Sequence, residues 1–256
     1  FISRFFHLYL IMKFLKIILL FLLLISPCNA NTIYNLIKIP NLSIYQSKTS
    51  NGLKYLNTLK PFQVGIRNDN VTCFESSIKN IDKKFNLINE NFKKYSSDFL
   101  KKINLKYIVI CEDLSVSGIG AAGVPNIKVK TLIIDLNFNE KFFERIIHHE
   151  IFHMINDSYK MYFLEDEWKD LNQKGFKYAK CSTCTDKINL EAIKKTEGFF
   201  TEYSMTTASE DMAEVFSFIM KNGEYLEHKS LNDPILKNKI SFIKKNVLKI
   251  DNDFNF

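Results

Sequence analysis

Residues 146–156 read IIHHEIFHMIN and contain the pattern H-E-x-x-H from His149 to His153. In an α-helix, residues four positions apart lie above one another on the same face, so the two histidines can bind one zinc ion. Glu150 follows the first histidine and is placed to take a proton from a water molecule at the open side of the metal. The stretch therefore predicts a helix that carries one zinc ion per chain.

The residues that precede the motif favour the helix, because they contain neither Pro nor Gly. Asn139 is the preferred N-cap, and Asn137 is the alternative. Three of the five His residues fall within residues 148–153, which argues against a chance pattern. His148 points away from the ligand face, since adjacent helix positions face different directions. His228 is expected at the surface.

A third zinc ligand is expected downstream, because a catalytic zinc usually has three protein ligands and one water. We predict a helix that begins after Thr207 or Ser209. Glu210 lies in its first turn, and Glu214 lies one turn later on the same face. Glu210 is the preferred ligand and Glu214 the alternative. Asp211 is interpreted as a charge that stabilises the start of this helix through the helix dipole.

The combination of H-E-x-x-H with the later residues Tyr203, Glu210 and Glu214 resembles the gluzincin metallopeptidases. More narrowly, residues 198–214 resemble the putative zinc-binding metallopeptidases of secreted proteins and the catalytic domain of anthrax lethal factor. The resemblance covers about residues 142–220.

This resemblance implies an α+β, zincin-like fold with a small mixed β-sheet, an active-site helix and a mainly helical C-terminal part. It also implies zinc-dependent hydrolysis of peptide bonds. The roles it implies are metal ligands at His149, His153 and Glu210, general base at Glu150, oxyanion donor at Tyr203, and orientation of a ligand histidine by Glu214. Two alternatives stay open: a catalytically inactive, zinc-containing secreted binding protein, and an interaction domain whose motif is accidental.

Composition places the chain among globular proteins, since 46% of its 256 residues are hydrophobic and 25% are charged. This is enough material for one large core or for two subdomains around a cleft. The net charge is +7, and it falls to +4 without Arg4, Lys13 and Lys16. The remaining basic residues are scattered among acidic ones, which argues against binding to nucleic acid. We expect a monomer that acts on a peptide or protein substrate.

The amino terminus has the pattern of a signal peptide. A short basic start at residues 12–16 precedes the apolar residues 17–25, and small residues follow up to Ala30. The apolar run is shorter than the roughly 20 residues that a membrane span requires. We predict cleavage after Ala30 and secretion, without a stable membrane span. A membrane anchor and lipidation of Cys28 are the alternatives.

Without residues 1–30, residues 31–256 are predicted to form a single zincin-like catalytic domain with an N-terminal extension over about residues 31–70. Four cysteines remain, and an even number in an exported protein indicates two disulfides. The preferred pairs are Cys73–Cys111 and Cys181–Cys184. Alternatively, the C-x-x-C of the second pair binds another zinc ion or performs redox chemistry.

Local patterns predict the other elements. Apolar spacings of three and four residues indicate one helix over residues 72–95. Runs rich in β-branched and aromatic residues, bounded by turn residues, indicate strands at residues 42–46, 62–67, 106–111 and 128–135. The Gly-rich residues 115–125 are interpreted as a mobile connection or cleft rim, and residues 187–196 as a short helix.

Overall fold

The computed structural model describes residues 41–66, 69–194, 197–221 and 223–256. The predicted signal peptide therefore lies outside the described residues. Across the described ranges, no helix combines the length and apolar character needed to cross a membrane. The described residues contain eight strands and seven helices, so the predicted mixed α+β class is confirmed.

The strands are β1 (Leu42–Gln46), β2 (Lys54–Thr58), β3 (Phe62–Ile66), β4 (Asp69–Phe74), β5 (Tyr107–Val116), β6 (Ile119–Gly120), β7 (Gly123–Asn126) and β8 (Thr131–Asp135). The helices are α1 (Ile78–Lys93), α2 (Ser97–Lys102), α3 (Glu140–Ser158), α4 (Glu165–Lys169), α5 (Ala208–Lys221), α6 (Gly223–Ser230) and α7 (Pro234–Ile250). Two short 3-10 turns are Lys160–Tyr162 and Tyr203–Met205.

Strand β5 is the centre of the sheet and pairs differently along its length. Its first half runs parallel to β2 and β8, while its second half is antiparallel to β4 and β6. Strands β1, β3 and β7 add antiparallel neighbours to β2, β4 and β8. The sheet is therefore mixed, as predicted, but it is larger than the small sheet that was expected.

Strand β5 is buried on both faces, which explains its continuous apolar sequence. Ile108 and Ile110 enter the main core, whereas Val109 and Cys111 enter a smaller core on the opposite face. Successive strand residues point to opposite faces of a sheet, so one run supplies both cores. The predicted Cys73–Cys111 disulfide joins β4 to β5 within the smaller core.

Helix α3 confirms the predicted cap and is buried on most of its surface. The Asn139 side chain accepts a hydrogen bond from the Lys141 amide at 3.0 Å. Helix α5 is capped by Thr207, whose hydroxyl accepts from the Glu210 amide at 3.2 Å. The two helices pack against each other, with the Phe152 and Phe216 ring centroids 5.5 Å apart.

The structure adds detail to one local prediction and moves the bounds of two others. The helix predicted over residues 72–95 begins only at Ile78, because Ser77 caps it and β4 continues to Phe74. The Gly-rich residues 115–125 are largely strand, since they form the end of β5, β6 and the start of β7. The strand predicted at residues 128–135 begins at Thr131.

The short helix predicted over residues 187–196 is absent from its described part, residues 187–194. Backbone carbonyls of this segment accept hydrogen bonds from groups elsewhere in the chain, and not from amides of the same helical turn. The Asn189 carbonyl accepts from the Tyr203 amide at 3.2 Å, and the Leu190 carbonyl accepts from the Arg145 guanidinium at 2.7 Å. Tertiary contacts have replaced the local hydrogen bonds that a helix requires.

Candidate metal centre

Helix α3 places both motif histidines on the face that packs toward α5. His149 is 3% exposed, and His153 lies one turn later with 19% of its side chain exposed. Helix α5 brings Glu210 to the same point, with 15% of its side chain exposed. Among the described residues, these three form the one group of His, Cys, Asp or Glu whose donor atoms cluster with metal-ligand spacing.

The three donor atoms form a small triangle. The Glu210 Oε2 atom is 2.9 Å from His149 Nε2 and 3.3 Å from His153 Nε2, and the two Nε2 atoms are 3.2 Å apart. Ligands about 2.0–2.1 Å from a tetrahedral zinc are separated by roughly 3.3 Å. The donor set and its spacing therefore fit zinc, with a fourth position left for water.

Glu214 orients the first histidine from the opposite side of its ring. Its Oε1 atom accepts from His149 Nδ1 at 3.0 Å, which leaves His149 Nε2 directed at the cluster. The Glu214 side chain is fully buried, and its Oε2 atom accepts from the Thr201 hydroxyl at 2.8 Å. A carboxylate on the far nitrogen of a ligand histidine fixes the tautomer and makes the histidine a stronger ligand.

The electrostatics of the metal-free protein are those of a site that holds a cation. Burial opposes charge on His149, but hydrogen bonds to Glu210 and Glu214 raise its pKa to about 10. Burial also opposes charge on Glu210, yet the neighbouring His153 and His149 hold its pKa well below the ordinary value. A proton on His149 thus occupies the position where a metal ion would bind, and metal binding must release it.

Glu150 lies beside this cluster and is 8% exposed. Burial raises the pKa of its carboxyl, although the charges of His149 and His153 act in the opposite direction. A carboxyl whose pKa is moved toward neutrality is a better general base than an exposed glutamate. The backbone of Gly123 on β7 closes the space next to this side chain.

Tyr203 lies at the same site, with its ring centroid 5.9 Å from that of His149. Burial raises the pKa of its phenol far above the ordinary value, and the nearby carboxylates of Glu210 and Glu150 raise it further. The phenol therefore remains protonated and can act only as a neutral hydrogen-bond donor or acceptor.

The remaining histidines lie away from the donor cluster. His148 is fully buried on another face of α3, where Tyr95 donates to its Nδ1 at 2.6 Å and Asn91 accepts from its Nε2 at 2.9 Å. His228 is exposed, as expected. Six predicted site residues, in contrast, are neighbours in space: His149, Glu150, His153, Tyr203, Glu210 and Glu214.

Asp211 lies in the first turn of α5, as interpreted from the sequence, but it also has buried partners that the sequence did not indicate. Its side chain is fully buried and accepts from Lys239 at 2.6 Å, Tyr178 at 2.6 Å and Trp168 at 2.9 Å. Lys239 is fully buried too, and it also donates to the Gly198 carbonyl at 2.7 Å. This buried ion pair anchors α7 to α5 next to Glu210.

Sequence reasoning also missed Arg145 and Gly123. Arg145 lies four residues before His149, so the helical period that located His153 also places Arg145 on that face. No local sequence signal links Gly123 to Glu150, because the contact joins a strand to a helix. The second predicted disulfide, Cys181–Cys184, is present.

The chain is similar to proteins of one known family. The model of a family described as putative zinc-binding metallo-peptidase matches residues 123–249, from β7 through most of α7. This match confirms the family predicted from the sequence, whereas the likeness to anthrax lethal factor stays a prediction. One matching solved structure is the crystal structure of a putative zinc-binding metallo-peptidase from Bacteroides caccae ATCC 43185. It is 18% identical over 67% of each chain, with a TM-score of 0.41. The curated proteins contain no match.

Proposed function

Residues 123–249 belong to the family of putative zinc-binding metallo-peptidases, and from this premise we propose that the protein is a secreted zinc endopeptidase. The observation that carries the proposal is the convergence of His149, His153 and Glu210 beside the Glu150 carboxyl. Two imidazoles and one carboxylate leave one zinc position open, as catalytic zinc sites do. One zinc ion per chain is proposed.

A zinc ion held by His149, His153 and Glu210 would polarise the scissile carbonyl and lower the pKa of a water molecule. Glu150 accepts the proton of the attacking water and delivers it to the leaving amine. The raised pKa of the buried Glu150 carboxyl suits both steps, because the group must hold the proton briefly and then release it. His149, His153 and Glu210 serve as the ligands, and Glu214 keeps His149 in the tautomer that presents Nε2.

Tyr203 is proposed to donate a hydrogen bond to the oxygen of the scissile carbonyl as negative charge develops there. Its phenol is protonated over the whole physiological pH range and lies next to His149. A donor that is already in position when charge appears lowers the barrier without further reorganisation.

The remaining parts of the proposal concern the location, domain organisation and partners of the protein. Two disulfides are compatible with an exported protein. We propose that residues 31–256 form one catalytic domain, that it acts as a monomer, and that its substrate is a peptide or protein and not a nucleic acid.

The test compares the purified protein with Glu150→Gln on a peptide library that is read by mass spectrometry. Loss of the proton acceptor should abolish hydrolysis and leave the zinc content at one per chain. Glu144→Gln is the matched control, because it makes the same change on the same helix at a residue paired with Lys221 at 2.9 Å. That variant should keep its activity.

A Glu150→Gln protein that still cleaves peptides would contradict the mechanism. A wild-type protein that binds one zinc ion and cleaves no peptide would support the alternative function, a zinc-containing binding protein. Absence of zinc from the wild-type protein would contradict both functions.

A further inference from the structure

Arg145 is a buried cation one helical turn before His149. Its side chain is 7% exposed, and its guanidinium carbon lies 5.4 Å from the Phe142 ring centroid and 4.5 Å from that of Phe218. Its Nη2 atom donates to the Leu190 carbonyl at 2.7 Å and lies 3.6 Å from Glu214 Oε2. The two aromatic rings restrict the guanidinium, so it points at the carboxylate that binds His149.

Glu214 requires such a partner, because its carboxylate has no access to water. One oxygen accepts from His149 Nδ1 and the other from the Thr201 hydroxyl. The Thr201 hydroxyl is neutral, and His149 is shared with Glu210, so a second cation beside Glu214 stabilises its buried negative charge. In the described part of the chain, one Lys or Arg residue lies within ion-pair distance of Glu214, and it is Arg145.

We propose that Arg145 is a positioning residue of the metal centre, which compensates the charge of Glu214 and thereby holds His149 in its metal-binding orientation. This inference rests on the proposed zinc site, but it does not require hydrolysis. It assigns a chain of contacts that runs from Arg145 through Glu214 to His149.

The second contact of Arg145 extends its influence to Tyr203. Two consecutive backbone carbonyls accept hydrogen bonds from residues of the site. The Asn189 carbonyl accepts from the Tyr203 amide, and the Leu190 carbonyl accepts from the Arg145 guanidinium. The guanidinium therefore fixes the segment that also holds the backbone of Tyr203. Removal of Arg145 should therefore affect both sides of the metal centre.

The test measures the zinc dissociation constant by competition with a chelator. Arg145→Met keeps the long apolar stem between the two rings and removes the charge. We expect zinc binding to weaken by about 10–100-fold, the range for loss of a residue that orients a metal ligand. Arg145→Lys should give an intermediate value, because an ammonium restores the charge but not the planar donor set.

A double-mutant cycle with Glu214→Gln separates this role from simple packing. If Arg145 acts through the charge of Glu214, Arg145→Met in the Glu214→Gln background should change zinc affinity by at most about threefold. The double variant also lacks an uncompensated buried charge, so it remains informative if Arg145→Met alone does not fold. Independent effects of the two substitutions would overturn the proposal.

Tyr95→Phe is the control for a general loss of stability. It removes a buried hydrogen bond to His148 on the same helix but touches no residue of the donor cluster. It should lower the melting temperature without changing zinc affinity. Arg145 has no positioning role if Arg145→Met leaves zinc affinity unchanged. The same conclusion follows if Tyr95→Phe, at a similar loss of stability, weakens zinc binding as much as Arg145→Met does. Tight zinc binding by the wild type in that case leaves the proposed function intact.

Discussion

Gly123 on strand β7 lies directly against the side chain of Glu150 on helix α3. A methyl group at Gly123 would stand 2.6 Å from Glu150 Cγ and 3.0 Å from its carboxyl carbon. It would also lie 3.1 Å from the Ile133 carbonyl oxygen, which is backbone, so the Glu150 side chain would have to move. The position of Glu150 thus depends on the absence of a side chain at residue 123.

Gly123→Ala should therefore displace Glu150 and reduce peptide hydrolysis by about 100-fold, since a misplacement of about 1 Å can have that effect. Zinc content should not change, because the atoms nearest to the added methyl group belong to Glu150 and Ile133 and not to the three donor residues. The control is Gly120→Ala in the preceding hairpin, where a methyl group would meet nothing within 4 Å. Equal activities of the two variants would show that the contact is not needed for catalysis.

Glu210 and Glu214 should differ in how strongly they affect zinc affinity. Glu210 faces both histidine Nε2 atoms, whereas Glu214 touches only the far side of His149. Glu214→Gln keeps an acceptor for His149 and should weaken zinc binding by about 10–100-fold. Glu210→Gln should weaken it more, because an amide oxygen is a poorer zinc ligand than a carboxylate. Titration with a competing chelator measures both, and the reverse order would exchange the two roles.

The pH dependence of stability should contain a contribution from His148. Burial lowers its pKa from 6.5 to about 3, and the charges of Lys94 and Lys221 act in the same direction. Above pH 6.5 neither the folded nor the unfolded chain binds this proton. Between pH 6.5 and 3 only the unfolded chain binds it, so the free energy of unfolding falls by about 1.4 kcal/mol per pH unit as the pH decreases.

His148→Gln should remove this slope, because glutamine can still accept from Tyr95 and donate to Asn91 without titrating. The measurement is urea unfolding of the metal-free protein and the variant at several pH values from 7 to 4. His149 adds nothing to this slope below pH 6.5, because a group whose pKa in the folded protein is about 10 is protonated in both the folded and the unfolded state there. A constant difference in unfolding free energy across this range would contradict the assignment.

The two disulfides should contribute unequally to stability. Cys73–Cys111 spans 38 residues of chain, and a loop of that length corresponds to about 4 kcal/mol of unfolding free energy. Cys181–Cys184 spans only 3 residues, which corresponds to about 1.5 kcal/mol. Replacement of each pair by Ala, followed by urea unfolding, measures both contributions. A larger loss for the 181–184 pair would mean that this turn has a structural role beyond loop closure.

Local patterns in the sequence determined the elements that carry the site. The spacing of His149 and His153 follows from the 3.6-residue period of a helix, and Asn139 and Thr207 provide caps that need only a few neighbouring residues. Strand β1 has the bounds that the sequence predicted. The helix predicted to begin at residue 72 begins later, because its first residues pair as a strand and a cap then starts the helix.

Tertiary structure alone decided which carboxylate faces the histidines. Glu210 and Glu214 lie on one face of α5, and only the rotation of α5 against α3 directs Glu210 to the two Nε2 atoms and Glu214 to Nδ1. The burial of Asp211 with Lys239 and the contact of Gly123 with Glu150 likewise join residues distant in sequence. Local propensities extend over a few residues, whereas these contacts depend on how whole elements pack together.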